Sequence, residues 1–376
     1  LDTASKTDGT AMFTLDQYPE GVQVVMIERP TSFGATVASY DDAEAAKVAG
    51  VRAIRPLPQG VAVYADNTFA ALQARKALKV EWDLSAAETR TSQQIMAEAS
   101  AAAREAGRTV EETGDLSGFD APGATVIEAE YQFPYLAHAP METLDGVVTL
   151  AEESAEASYG CQFPGIDRAA LAKTLGLPME SVRVNVLLAG GSFGRRAQGT
   201  AHFATELAEV AKAGGPGSYK LMWTREDDIR GGYYRPLSVH RMRGAIDAEG
   251  RITAWENVIA NQSIMAGTAM EAMMKDGLDS SSYEGSIGLP YDFGGFRAAW
   301  RQLKTGVPVL WWRSVGSTHT AMATEMFVDE LLEAAGKDPV QGRLDLLKPD
   351  AARERAVIEA VRVPPSAWMT SQSIRT

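Results

Sequence analysis

Gly190-Gly191-Ser192-Phe193-Gly194-Arg195-Arg196 is the segment of this sequence best suited to chemistry. Closely spaced glycines let a backbone turn tightly, so that its amides can reach a phosphate or an oxo ligand. The pattern lacks the Gly-Lys-Ser/Thr of a Walker loop and is not a G-x-G-x-x-G dinucleotide turn. Letter by letter, Gly190-x-Ser192-x-Gly194 fits the G-x-S-x-G nucleophile elbow, so one reading makes Ser192 a hydrolase nucleophile. For that role the chain supplies no obvious acid followed by a late histidine except His319. His138, His202, His240 and His319 show no metal-ligand spacing such as i, i+4, and each reads as structural. Cys161 stands alone, which excludes an internal disulfide and any four-cysteine iron–sulfur or zinc site made by this chain.

The glycine segment needs elements to hold it. Val182, Val184, Val186 and Leu188 alternate in a strand that runs into it, and a helix is expected from about Thr200 to Lys212. That order would aim a helix N-terminus, with its open amides, outward from the turn. Before it, Asp167–Leu175 reads as a capped helix ending at Gly176, and Ile127 to Phe133 alternate as a half-buried strand. After it, His240–Ile246 and Ile252–Ile259 form a hairpin around Asp247-Ala248-Glu249-Gly250, and a helix spans about Thr320–Ala335 up to Gly336.

The first eighty residues read as mixed α/β. Strands are expected at Val22–Ile27, Gly60–Ala65 and Lys79–Trp82, with helices at Asp41–Val48 and Thr68–Leu78. Thr91-Ser92-Gln93-Gln94 forms a capping box opening a helix that Gly107 stops, and Arg108–Gly123 reads as a polar connecting loop. The fold class expected is α+β, a mixed α/β chain.

With 36 Lys and Arg against 49 Asp and Glu among 376 residues, the net charge of −13 argues against a nucleic-acid partner. No run of about 18 apolar residues is present, so no transmembrane helix is expected. The chain opens on Leu1-Asp2-Thr3-Ala4 without an initiator Met or signal pattern, and reads as an interior piece of something longer.

Six segments stand in order: Pro134-Tyr135-Leu136-Ala137-His138-Ala139-Pro140-Met141-Glu142, Gly160-Cys161-Gln162, Gly190 to Arg196, Met222-Trp223-Thr224-Arg225-Glu226-Asp227-Asp228, Trp312-Arg313-Ser314-Val315-Gly316, and Thr324-Glu325-Met326-Phe327-Val328-Asp329-Glu330 through Pro339. Together they resemble the molybdenum-binding large subunit of the xanthine oxidase family, most nearly its isoquinoline 1-oxidoreductase beta-subunit and aldehyde dehydrogenase branch. The resemblance implies an α/β hammerhead domain over 1–83 and part of a molybdopterin-binding domain over 124–361. Residues 84–123 fall between them as a helical connector, and 362–376 as an irregular tail.

The resemblance also implies the cofactor and the site. Molybdopterin cytosine dinucleotide would carry molybdenum, held by its own dithiolene, so no protein metal ligand is needed. Gln162 would hydrogen-bond a molybdenum oxo ligand, and Gly190, Gly191, Ser192, Phe193, Gly194, Arg195 and Arg313 would line the cofactor. Electrons would pass to [2Fe–2S] clusters on a small partner subunit, and the substrate would be a small N-heterocycle or aldehyde hydroxylated with oxygen from water. The branch is bacterial and often exported folded, which implies the periplasm, with the cytoplasm as the alternative. Three departures stand out. Ala157-Ser158 occupy the neighbourhood of the usual upstream tryptophan, Ser314 replaces a glycine, and no G-x-G-E segment supplies the family's general base. The general base is therefore expected outside this chain, in the remaining N- and C-terminal parts of the subunit, with Glu142 as the substitute if the chain works alone. The contrasting expectation is a non-catalytic cofactor-binding or structural fragment.

Overall fold

The computed structural model describes residues 3–361, and the irregular tail expected over 362–376 lies outside them. A seven-stranded mixed sheet runs in the order Val182–Val186, Ala155–Tyr159, Asp145–Leu150, Gly217–Met222, Gln23–Glu28, Gly60–Ala65, Val51–Leu57. Val24 to Ile27 are all buried, as a central strand with both faces covered requires. Val25 and Ile27 face a core shared with Leu171, Phe203, Leu207 and Val210 of the helices Pro164–Leu175 and His202–Gly214. Val24 and Met26 pack on the other side against Ala70 and Ala71 of the helix Thr68–Ala77.

A second sheet of five strands, in the order Arg108–Thr113, Gly295–Leu303, Ile252–Gln262, Ser238–Ile246, Thr125–Phe133, carries helices on both faces. Ser317–Ala334 buries Phe327, Val328 and Leu331 against Met242 and Trp255 on one side. Ser92–Ala103 lays Ile95, Ala99 and Ala103 on Val239 and Ala260 on the other. Its capping box is formed as expected, the Thr91 hydroxyl accepting from Gln94 N while the Gln94 side chain accepts from Thr91 N.

Several expectations give way to tertiary structure. Strands from residues 1–83 and from 145–222 hydrogen-bond into one sheet, Gln23–Val25 pairing in parallel with Tyr219–Leu221, so residue 83 does not separate two sheets. The stretch expected as a connector belongs to the second sheet. Arg108–Thr113 is its edge strand, where one side needs no partner and polar residues are tolerated. The helix expected over Asp41–Val48 is a strand, Thr36–Asp41, followed by a single 3₁₀ turn at Ala45–Lys47, because Tyr40 pairs with Val80 across a two-stranded ribbon. Asp167 is not a cap: Pro164 starts that helix, and the buried Asp167 carboxyl accepts from the Tyr159 hydroxyl at 2.9 Å.

Burial holds all four histidines neutral. His138 and His240 are pushed down to about 4, and His202 and His319 lie further below their ordinary value. An unfolded chain protonates its histidines as pH falls through 6.5, whereas these take up no proton until about pH 4 or lower. The unfolded state then binds more protons, so stability is expected to fall as pH drops from 6.5 toward 4. Asp145 and Asp167, whose carboxyls burial pushes upward, offset part of that loss by protonating first in the folded state. Urea midpoints between pH 7 and 4 check this, and a midpoint that rises on acidification would contradict it.

Candidate active site

Four loops converge beyond the end of the Val182–Val186 strand: residues 138–142, 160–163, 190–196 and 311–313. Arg196 knots three of them. Its guanidinium is buried and donates to Gly160 O at 3.2 Å, Gly191 O at 3.3 Å, Thr143 O at 3.1 Å and the Glu142 carboxylate at 3.0 Å. Glu142 in turn accepts from Gly190 N at 2.8 Å and, through its other oxygen, from Leu15 N at 3.0 Å. Arg225, one helical turn before Asp228, donates to Pro140 O and Met141 O and holds the 138–142 loop from outside. His138 accounts for the fourth loop: it bonds Trp311 O through Nε2 at 2.6 Å and stacks on Trp312 with ring centroids 4.7 Å apart.

With the turn fixed from below, its upper side is open. The amides of Gly191, Ser192, Phe193 and Gly194 have no acceptor among the described residues. The Ser192 hydroxyl accepts from Arg196 N at 3.1 Å and donates to Gln162 Oε1 at 2.5 Å, bringing Gln162 to the rim of the turn. Phe163, the next residue, meets Trp311 edge-on at 6.1 Å. Phe193 is exposed and takes a left-handed φ of +56°, a strain that β-carbon-bearing residues show mostly at functional turns. The glycines are required by their protein neighbours. Gly191 and Gly194 both sit at φ +108°, and a β-carbon on Gly194 would fall 2.1 Å from Trp311 O. One on Gly190 would fall 2.6 Å from the Glu142 β-carbon. Close approach of loop to loop thus explains these glycines without a ligand.

Of the residues singled out from sequence, Gln162 and the backbone of 190–194 come together. Arg195 points the other way. Its guanidinium is buried between Trp223 and Tyr233, 3.8 Å from Asp228, and burial lowers it to about 10. Arg313 is exposed and makes no hydrogen bond or ion pair among the described residues. The helix expected from about Thr200 begins at His202, and Phe203 N in its first turn is taken by Gln198 Oε1 at 3.0 Å. The open amides therefore belong to the turn itself. Ser192 is not a nucleophile: the left-handed residue is Phe193, and the serine's proton goes to Gln162 rather than to a histidine. Glu142 cannot be a substitute base, because its two oxygens are engaged by Leu15, Gly190 and Arg196. Glu325 bonds Tyr291 and Arg343 on a helix of the other sheet layer. Cys161 is half-buried beside the Asp167 carboxyl, and burial pushes its thiol up to about 12, which leaves it inert. Sequence reasoning passed over Arg196, His138 and Arg225 as functional residues, although each lies within a recognised segment. Their role is loop fixation, which only the contacts reveal.

A knotted base thus lies under four open amides and a neutral amide side chain, all of them hydrogen-bond donors or able to donate. Residues 93–345 match the family described as the molybdopterin cofactor-binding domain, and the chain belongs to it. The relationship to the molybdenum-binding subunits of the xanthine oxidase family, which the six segments implied, holds. It is 33% identical to the membrane-bound aldehyde dehydrogenase [pyrroloquinoline-quinone] of Gluconacetobacter polyoxogenes, across 92% of this chain and 47% of that protein. It is 28% identical to isoquinoline 1-oxidoreductase subunit beta of Brevundimonas diminuta, across 96% of this chain and again 47% of the relative. The chain thus spans about half the length of the relatives it matches. The aldehyde oxidoreductase of Desulfovibrio gigas shares its fold at a TM-score of 0.74 and 17% identity, covering 93% of this chain and 43% of that one. No helix among the described residues is long and apolar enough to cross a membrane.

The Trp311 contact makes a stability prediction. Gly123 also has a left-handed φ, +81°, but a β-carbon there meets nothing within 4 Å. Gly123→Ala should cost only the left-handed penalty of roughly 1–2 kcal/mol. Gly194→Ala should cost distinctly more, because Trp311 must move as well. Denaturant unfolding of the two variants checks this, and equal losses would mean that the 311–313 loop is not held against the turn.

Proposed function

We propose that this chain forms half of the cofactor-binding subunit of a molybdenum hydroxylase that oxidises an aldehyde or an N-heterocycle. The observation that carries this reading is the run of four acceptor-free amides, Gly191 to Gly194, beside Gln162. Such donors suit an oxo-bearing, anionic cofactor, and a dithiolene-held metal needs no protein ligand. No cluster of His, Cys, Asp or Glu suited to a metal ion occurs among the described residues, which is compatible with that chemistry. The cofactor is read as molybdopterin cytosine dinucleotide. When bound, it supplies the two-electron oxidation, with water as the oxygen source and [2Fe–2S] clusters on a small partner subunit as the electron outlet.

This chain's own part is binding and orientation. Gln162 and the 191–194 amides hold acceptors, Arg313 lies free on the 311–316 turn to meet an anionic group, and Arg195 contributes its backbone. Neither of the two acids weighed for the role is free to act as a base, since Glu142 and Glu325 are both engaged. The general base is assigned to the remaining part of the subunit, and the isolated chain is read as inert. Pyrroloquinoline quinone, named in one relative, is the competing cofactor.

Metal analysis of the complete subunit decides between the two cofactors. Stoichiometric molybdenum with a released pterin is expected; a bound quinone without molybdenum would replace the reading. In that subunit Gln162→Ala should lower turnover by roughly 10²–10³ while the fold persists, by analogy with loss of one oxyanion donor. Unchanged turnover at full molybdenum content would remove Gln162 from the site. The isolated chain, assayed with aldehydes and N-heterocycles and an artificial electron acceptor, should give no product.

A further inference from the structure

Asp145, the first residue of the strand Asp145–Leu150, is fully buried, and neither of its oxygens accepts a hydrogen bond among the described residues. Two cations lie beside it, yet neither has a proton to give. Arg196 Nη2 is 3.9 Å from Asp145 Oδ1, but its two protons go to the Glu142 carboxylate at 3.0 Å and to Thr143 O at 3.1 Å. Lys220 stands on the neighbouring strand, two residues from the Met222 that pairs with Asp145, and so shares its face of the sheet. The three Lys220 protons go to Thr14 O, Leu15 O and Gln17 O at 3.2, 2.6 and 3.0 Å. The other charged neighbours are acids. Glu142 accepts from Leu15 N, Gly190 N and Arg196 with its two oxygens, and Asp16 lies at the surface and accepts from Phe13 N at 2.9 Å. Three acids thus face two bases, which leaves one negative charge too many for a dry cluster. One proton removes the surplus, and Asp145 is the acid that can carry it without giving up a hydrogen bond. Burial, followed by the Glu142 charge, accordingly pushes the Asp145 carboxyl up to about 7.

We propose that Asp145 is a proton-operated latch on the glycine turn: as a neutral acid it leaves Arg196 bonded to the loops, and on ionising it draws that guanidinium away from them. A buried carboxylate needs a hydrogen-bond donor, and Arg196 Nη2 is the cationic nitrogen within reach. Turning toward Asp145 takes Nη2 from the Glu142 carboxylate or from Thr143 O. The guanidinium is a rigid fork, so its bonds to Gly160 O and Gly191 O lengthen in the same movement. Low pH therefore keeps the turn and the Gln162 loop fixed to each other, and higher pH loosens them. The latch belongs to the turn itself and works whatever group the turn binds.

Hydrogen–deuterium exchange of the chain, read by mass spectrometry and corrected for intrinsic exchange, tests this from about pH 5 to about pH 9. The bonded amides of Gly190, Arg195 and Gln162 report on the knot, and the helix Ser92–Ala103 is the internal control. Protection of the three, relative to the helix, should fall about 3- to 10-fold as pH rises, the worth of one hydrogen bond. Asp145→Asn cannot ionise and should hold that ratio constant. An unfolded chain ionises this carboxyl near its ordinary value of about 4, whereas the folded chain keeps the proton to about 7. The stability this proton contributes is therefore present at low pH and lost as pH rises between those values. Urea midpoints of the wild type should accordingly drop against those of Asp145→Asn over the same range. A wild-type protection ratio that stays constant overturns the proposal without any variant. An Asp145→Asn chain whose ratio falls as steeply as the wild type's does so too. If Asp145→Asn fails to fold, Asp145→Ser gives the same comparison.

Discussion

One buried guanidinium determines where everything else in the site lies. Arg196 is 3% exposed, and its donors reach carbonyls of three different loops and the Glu142 carboxylate. Placing a cation there is costly unless its charge is paired and its N–H groups are satisfied, and both conditions are met. Asp145 deepens the dependence. It is fully buried, its oxygens have no hydrogen-bond partner, and Arg196 Nη2 lies 3.9 Å away. Burial, followed by the neighbouring Glu142 charge, pushes the Asp145 carboxyl upward, while Arg196 and Lys220 oppose the shift. Without Arg196, two acids would share a dry pocket with Lys220 alone, whose ammonium burial already weakens.

The same knot explains why the turn is open on its far side. Backbone amides without an acceptor in the protein turn to solvent or to a ligand, and residues 191–194 are half-buried or exposed. Here the Gly190 amide is taken by Glu142 and the Arg195 amide by Ser192 O, and the four between them are lifted clear. Left-handed φ values at Gly191, Phe193 and Gly194 produce that lift, and the Trp311 loop pressing on Gly194 prevents it from relaxing. Strain and unpaired donors thus occur in the same four residues, 191–194. The rest of the fold, with its satisfied caps and covered sheets, stabilises a segment that would not hold this shape alone.

What the sequence could reveal followed from how local each cause is. The Thr91 capping box, the buried Gly60–Ala65 strand and the hairpin of 238–262 depend on neighbours within a few residues, and periodicity exposes them. Arg195 and Arg196 show the opposite case. They are adjacent and of one residue type, yet one lies between Trp223 and Tyr233 while the other lies under the glycine turn. No property of the pair itself distinguishes them. Glu142 likewise reads as a free acid until Leu15, Gly190 and Arg196 are seen to surround it. The Arg108–Thr113 strand was hidden because an edge position demands little apolar alternation. The meeting of Gln162 with the glycine turn was legible in outline, because resemblance carries ordered segments even where local physics is silent.

The N-terminal strand region is part of the site's support rather than a neighbour of it. Lys220, on a central strand and fully buried, donates to the carbonyls of Thr14, Leu15 and Gln17, and Leu15 N returns to Glu142. Gly160 N donates to the Thr14 hydroxyl at 3.0 Å, so the loop that carries Gln162 is tied to the same segment. The 13–17 segment therefore bridges the Gln162 loop and the carboxylate that holds the glycine turn. Glu142, the acid bonded to the glycine turn, is consumed by this bracing, so its carboxylate is turned away from the open amides. A face of open amides offers hydrogen bonds to an acceptor-rich group.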